Sequence, residues 1–116
     1  MGVTGIGGFF FRAQDPNALS AWYADNLGVG GGKWGLWDQQ AGKAVFSPFD
    51  SASEQIPADK VWRINFRVEG LDELLATLRS KGIEVITNPD WDAPGVGRFA
   101  RLHDPEGNMI ELWQPD

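Results

Sequence analysis

The chain has 116 residues, with ten Lys and Arg against sixteen Asp and Glu, a net charge of -6, and no cysteine. That length suits one domain with its own core; the acidic balance argues against a nucleic-acid partner, and the missing thiols exclude disulfides, thiolate metal sites, iron–sulfur clusters and a cysteine nucleophile. No apolar run approaches the roughly 20 residues of a membrane helix and the first residues lack a signal pattern, so no membrane partner and a cytoplasmic setting are expected.

In chain order, "IGGFFFRA" (6–13) reads as a Phe-rich strand and "DPNALSAWYADNLG" as the helix after it. Asp15 is placed to cap that helix, Pro16 sits in its first turn and Gly28 ends it. Leu19, Trp22, Tyr23, Asn26 and Leu27 fall at helical spacing. A glycine cluster, "GVGGG", leads into short strand-like pieces at "KWGLW" and "KAVFSPF". With the following lysine it has the look of a phosphate loop, but Leu27 breaks the spacing and Trp34 replaces the required Ser or Thr. A turn that exploits glycine is the better account. The stretch "DSASEQIPADK" (50–60) is polar and aperiodic, a linker.

Then the pattern begins again. "VWRINFRV" (61–68) alternates as a strand, and "GLDELLATLRSKG" is a helix with Leu71, Leu74, Leu75 and Leu78 on one face and Gly82 as its stop. "IEVIT", "GRFARLHD" and "NMIELWQP" supply further strands, the last two joined by the tight turn "DPEGN". Between them "DWDAP" (90–94) has two acids close together but nothing else of a metal loop. Its Trp91 is either a flap over a cleft or a subunit contact. Shifted by 55 positions, "FFFRAQDPNAL" lies over "INFRVEGLDEL", matching Phe11 and Arg12 to Phe66 and Arg67, and Leu19 to Leu74. A strand–helix–strands unit used twice predicts two half-sheets, each covered by a helix on one side and curling around a shared cleft on the other.

This order of elements, with "AWYADNLGV", "KGIEV" and a closing "HDPEGNMIELWQP", resembles the vicinal oxygen chelate superfamily, which holds glyoxalase I, bleomycin-resistance proteins and extradiol dioxygenases. The resemblance covers nearly the whole chain. It implies an α+β fold of two βαβββ modules, about 1–57 and 58–116, forming a curved, partly open barrel with helices outside, in a homodimer. Metal-dependent members carry one ligand on the first and one on the last strand of each module. Those positions fall here on Gly8, Ser47, Arg63 and Glu111. Glycine has no ligating side chain, Ser47 is a weak neutral donor, and Arg63 would repel a divalent ion. Such ions need several converging carboxylates or imidazoles. No metal and no other cofactor are therefore expected.

Strand alternation separates the faces. With Glu111 turned to the cleft, Met109 and Trp113 join it, while Ile110 and Leu112 face the helix. On the preceding strand Phe99, Arg101 and His103 take the cleft side, and Ala100 and Leu102 the helix side. Arg63, Asn65 and Arg67 face the cleft from the first strand of the second module, against Trp62, Ile64, Phe66 and Val68 toward the helix. The first module offers Gly8, Phe10, Arg12, Val45, Ser47 and Phe49. Arg63 and Glu111 should meet, either to neutralise two buried charges or to stand in for the lost cation. Paired with Arg101 or Arg67, Arg63 could clamp a carboxylate or phosphate. Arg12 and Arg67, near strand ends, read as solvated rim residues. His103 lies outside the family's ligand positions, and a hydrogen-bonded imidazole at the pocket edge is its plainer role.

The leading reading is a metal-free small-molecule-binding protein of the bleomycin-resistance type, its ligand held between aromatic walls. Drug-sequestering relatives capture cations, but arginines beside one acid suit an anionic or zwitterionic ligand with an apolar part. The alternative is a cofactorless proton-transfer, isomerase or lyase enzyme with Glu111 or His103 as the catalytic base. A metal-dependent glyoxalase or dioxygenase ranks last. The expected ligand-binding set is Phe10, Ser47, Phe49, Arg63, Asn65, Phe99, Arg101, His103, Glu111 and Trp113.

Overall fold

The computed structural model describes all residues, 1–116. Its regular elements are helix α1 (Pro16–Leu27), strand β1 (Ile64–Arg67), helix α2 (Leu71–Ser80) and strands β2 (Gly97–His103) and β3 (Met109–Pro115), with single 3-10 turns at Lys33–Gly35 and Pro89–Trp91. Neither helix is long and apolar enough to cross a membrane.

Local chemistry places both ends of α1 and the end of α2. The Asp15 carboxylate accepts from the Ala18 N–H at 3.1 Å, Pro16 occupies the first turn, and Gly28 closes α1 in the left-handed conformation. A second acid helps: Glu106, from the "DPEGN" turn, accepts from the N–H groups of Gln14 and Asp15 at 2.7 and 3.1 Å. Helix α2 ends in a Schellman motif. With Gly82 at φ 78, the Gly82 N–H donates to the Arg79 carbonyl and the Ile83 N–H to the Leu78 carbonyl, both at 3.0 Å. Its first N–H, on Leu71, is capped from outside by the Gln114 side-chain oxygen at 2.7 Å.

Strand β3 is the centre of the sheet, with β1 parallel to it on one side and β2 antiparallel on the other. The helices share one face of this sheet. Leu19 and Tyr23 of α1, Leu71, Leu75 and Leu78 of α2, Val85, and Ala100, Leu102, Ile110 and Leu112 of the strands form a single buried cluster, with Ile64, Phe66 and Val68 packed against it. This is the helix face expected from alternation, apart from Trp62, whose ring lies instead against Phe9 and Phe11 at centroid distances of 5.0 and 5.4 Å.

The hairpin between β2 and β3 is pinned by Asp104. It is 4% exposed, yet its carboxylate accepts four bonds, from the Tyr23 hydroxyl (2.7 Å), the Glu106 and Asn108 N–H groups (2.8 and 3.0 Å) and the Asn108 amide (2.8 Å). A buried carboxylate this well supplied is no liability. It ties α1 to the turn.

The first half departs from expectation. "IGGFFFRA", "KWGLW" and "KAVFSPF" form no ladder, and "IEVIT", though Val85 reaches the core, pairs with the sheet's backbone only at the isolated Ile86–Arg101 bridge. The segment 61–68 is strand only over Ile64–Arg67. A strand exists through backbone bonds to a neighbouring edge, and these pieces are held through side chains instead. Phe11 packs edge-on to Tyr23, Trp37 does the same to Phe66, and Arg67 donates to the Lys43 and Gln40 carbonyls at 2.6 and 2.7 Å. Arg67 is thus a brace for residues 40–43 rather than a free rim charge.

Candidate functional site

The face of the sheet away from the helices carries the expected charges. In the parallel ladder Asn65 is the partner of Glu111, and in the antiparallel ladder Arg101 is. Residues directly across a ladder present their side chains on the same face, so the central acid is flanked on both sides by donors. Asn65 Nδ2 donates to Glu111 Oε1 at 2.8 Å and Arg101 Nε to Oε2 at 3.2 Å. Arg63, two residues before Asn65 and so on the same face, brings Nη2 to 3.5 Å from Oε1. The Glu111 side chain is 7% exposed, those of Arg63 and Arg101 15% and 18%. Burial lowers the Arg63 pKa from its ordinary value, Arg101 acts in the same sense, and the Glu111 charge opposes both. The guanidinium remains charged. Two cations thus face one carboxylate in a half-dry setting, one positive charge in excess.

Aromatic rings cover both guanidiniums. Arg101 Cζ sits 4.1 Å from the centre of the Trp91 ring and Arg63 Cζ 5.3 Å from that of Phe49. Trp91 is held there by its loop: the Asn88 side chain caps the turn at Asp90 N, and Asp92 Oδ1 accepts from the Phe99 N–H at 3.0 Å. Of the two roles open to Trp91, the single chain has it against Arg101. One step along the same face, Phe99 and Trp113 are cross-strand partners whose rings stack at 6.3 Å with planes 8° apart, Trp113 Nε1 donating to the Val96 carbonyl at 2.9 Å.

The structure therefore brings together Phe49, Arg63, Asn65, Arg101 and Glu111, with Phe99 and Trp113 alongside. Phe10 (92% exposed), Ser47 and Gly8 lie on the surface and make none of the contacts that build this cluster. His103 is also exposed, beside an open pocket of about 340 Å³ shared with Trp22, Ile83 and Asp104, and it bonds to no member of the cluster. Sequence reasoning missed Gln55. Its backbone carbonyl accepts from Arg63 Nη1 at 3.0 Å and its side-chain oxygen from Arg101 Nη2 at 3.2 Å. Nothing in "DSASEQIPADK" marks one polar residue of a linker as the one that folds back.

Chemically, this is an anion-friendly patch between aromatic rings. Both Glu111 oxygens are engaged by donors, and no three His, Cys, Asp or Glu side chains converge anywhere in the chain. Residues Gly8, Ser47, Arg63 and Glu111 do not make a donor set for a divalent cation, because the arginine occupies the carboxylate the cation would use.

Comparison with known proteins agrees on the architecture. The family model for a glyoxalase-like domain matches residues 8–113. Over 54 residues the chain is 39% identical to proteins called "Putative glyoxylase CFP32" in Mycobacterium bovis (strain ATCC BAA-935 / AF2122/97) and Mycobacterium tuberculosis (strain CDC 1551 / Oshkosh). That match takes in 47% of this chain and only 20% of each relative. The crystal structure of TnmS3, an antibiotic binding protein from Streptomyces sp. CB03234, superimposes with a TM-score of 0.62 at 22% identity, over 100% of this chain and 99% of that one. At that identity the likeness is one of fold.

Proposed function

The chain belongs to the glyoxalase-like domain family of the vicinal oxygen chelate superfamily, and we propose that it is a metal-free receptor for a small anionic or zwitterionic molecule with an apolar part. One observation carries this reading: the acid at a family ligand position, Glu111, is held by Arg63, Arg101 and Asn65. The excess guanidinium charge suits a carboxylate or phosphate, and Phe49, Trp91, Phe99 and Trp113 suit the apolar part. TnmS3, an antibiotic binding protein, is an instance of this fold serving as a receptor.

The same reading takes residues 1–57 and 58–116 as two modules of one domain whose curved cup is completed by a second copy of the chain. Support comes from the large apolar side chains the first half leaves in solvent, among them Phe10, Trp34, Val45 and Phe46 at 75–92% exposure. Light scattering of the purified protein should give the mass of a dimer.

The direct test is titration with aromatic carboxylates and inorganic phosphate, together with metal analysis. Wild type should bind at least one of these anions, and Arg101→Ala should weaken that binding about 10- to 100-fold, the worth of a charge-assisted bond. A stoichiometric metal, or a melting temperature that climbs with one divalent cation, would overturn the receptor reading in favour of a metal enzyme.

A further inference from the structure

The two guanidiniums close a ring. On one side of it, Arg63 Nη2 and Arg101 Nε face the two oxygens of Glu111. On the other side, Arg63 Nη1 and Arg101 Nη2 face two oxygens of Gln55, its backbone carbonyl and its side-chain amide. Gln55 thus presents to the arginines what a second carboxylate would present, two acceptor oxygens, but without the charge. The excess positive charge of the cluster is satisfied in hydrogen bonds and left unsatisfied in electrostatics.

The segment that delivers Gln55 is built to let go. Residues 50–60 belong to no helix or strand, and Gln55 itself is exposed. The other hydrogen bonds of the segment are local: Asp50 accepts from Ala52 and Ser53, Ser53 Oγ accepts from the Gln55 N–H, and the Pro57 carbonyl from the Lys60 N–H. Among its hydrogen bonds, only the two that Gln55 accepts from the arginines tie it to the site. Ile56 and Pro57 are half-buried and anchor the segment beside Gln55, so an exposed Gln55 held by two bonds from neutral acceptors can turn away without unfolding its neighbours.

Resting on the anion-receptor reading above, we infer that Gln55 is a built-in stand-in for the carboxylate of the ligand. The 50–60 segment covers the two arginines, and a carboxylate-bearing ligand binds by displacing Gln55 and accepting one N–H from each of Arg63 and Arg101. Closure then sets the affinity, because a receptor open only part of the time binds in proportion to its open fraction. It also assigns the ligand class. Two acceptors bridging two guanidiniums describe a carboxylate, and its apolar substituent lies toward Trp91 and Phe49, whose rings flank the cations.

The test is a ¹⁹F NMR titration of the full chain with 4-fluorobenzoate, alongside Gln55→Ala and Gln55→Glu. Both substitutions are at an exposed position. Gln55→Ala removes one of the two competing bonds and should bind the probe about two- to tenfold more tightly than wild type. Gln55→Glu supplies an internal carboxylate; it should bind at least about tenfold more weakly and, without probe, melt at a higher temperature than wild type. If wild type binds and both variants stay within twofold of it, or if Gln55→Glu binds as well as Gln55→Ala, the stand-in is overturned and the receptor reading is untouched. If none of the three proteins binds 4-fluorobenzoate or inorganic phosphate, both are overturned.

Discussion

Glu111 and Arg101 are direct partners across the β2–β3 ladder, and the pairing continues into their side chains, with Arg101 Nε 3.2 Å from Glu111 Oε2. The backbone register therefore puts carboxylate and guanidinium on one face within reach of each other, and Asn65 is placed on the other flank by the same means. Removing one member leaves the rest uncompensated. Glu111→Gln should cost about 2–4 kcal/mol in urea denaturation, with two guanidiniums left facing each other in a mostly buried setting. Added phosphate should restore the variant more than it stabilises wild type, since an anion can take the vacated role. Equal responses of the two proteins to phosphate would show that the arginines do not share a field.

Tyr23 and Asp104 make a second coupling, between α1 and the hairpin, at 2.7 Å. Burial, first, and then the Asp104 carboxylate push the Tyr23 hydroxyl well above its ordinary 10.0. The folded state thus holds the phenolic proton at a pH where the unfolded chain has released it. The native state binds more protons there, so the contribution is complete below pH 10 and declines as pH rises beyond it. Wild type should lose stability between about pH 9.5 and 11.5 more steeply than Tyr23→Phe. At neutral pH that variant should be weaker by about 1–2 kcal/mol, because Asp104 loses a donor in a buried place. Parallel pH profiles would contradict this.

Gly97 opens β2 with φ 137, and a Cβ there would run into the Gln114 carbonyl oxygen and meet Pro115 Cα and Trp113 Nε1 at 2.9 Å. Since the obstacles are mostly backbone of β3, they cannot swing aside. Gly97→Ala should destabilise by about 2–3 kcal/mol. Because it disturbs the Trp113 end of the Phe99–Trp113 stack, near-ultraviolet circular dichroism should change as well. An unchanged spectrum with unchanged stability would mean the strand end relaxes freely.

The Arg98–Asp72 pair is the control. Arg98 Nη2 lies 2.7 Å from Asp72 Oδ1 and Nη1 3.2 Å from Oδ2, and both side chains are open to solvent. The Arg98 guanidinium holds Asp72 below its ordinary value, yet water and salt screen the pair. Asp72→Asn should leave the urea midpoint where it is, in contrast to Glu111→Gln. A loss comparable to that of Glu111→Gln would mean that register and burial do not explain which ion pairs matter here.

Much was legible in the residues alone. Asp15, Pro16 and Gly28 bound α1, the leucines of α2 choose its buried face, and the alternation of "RFARLHD" and "NMIELWQP" sorts charged from apolar, because capping and period-two or helical patterning act over a few neighbouring positions. The meeting of Arg63 with Glu111 was also legible, through the resemblance that aligns their strands. What lay beyond the sequence depends on which distant segments touch. No local signal in residues 6–13 or 43–49 says that they stay out of the ladder, since a strand requires a partner edge. None says that Arg67 braces the 40–43 carbonyls, that Trp91 covers Arg101, or that Gln55 returns across the sheet to close the arginine ring. Local patterning therefore settles both helices, the β2–β3 hairpin and the polarity of the strand faces. Tertiary structure alone decided which donors reach the acid and what sits opposite it, because the separations that matter are between segments far apart in the chain and are set by packing.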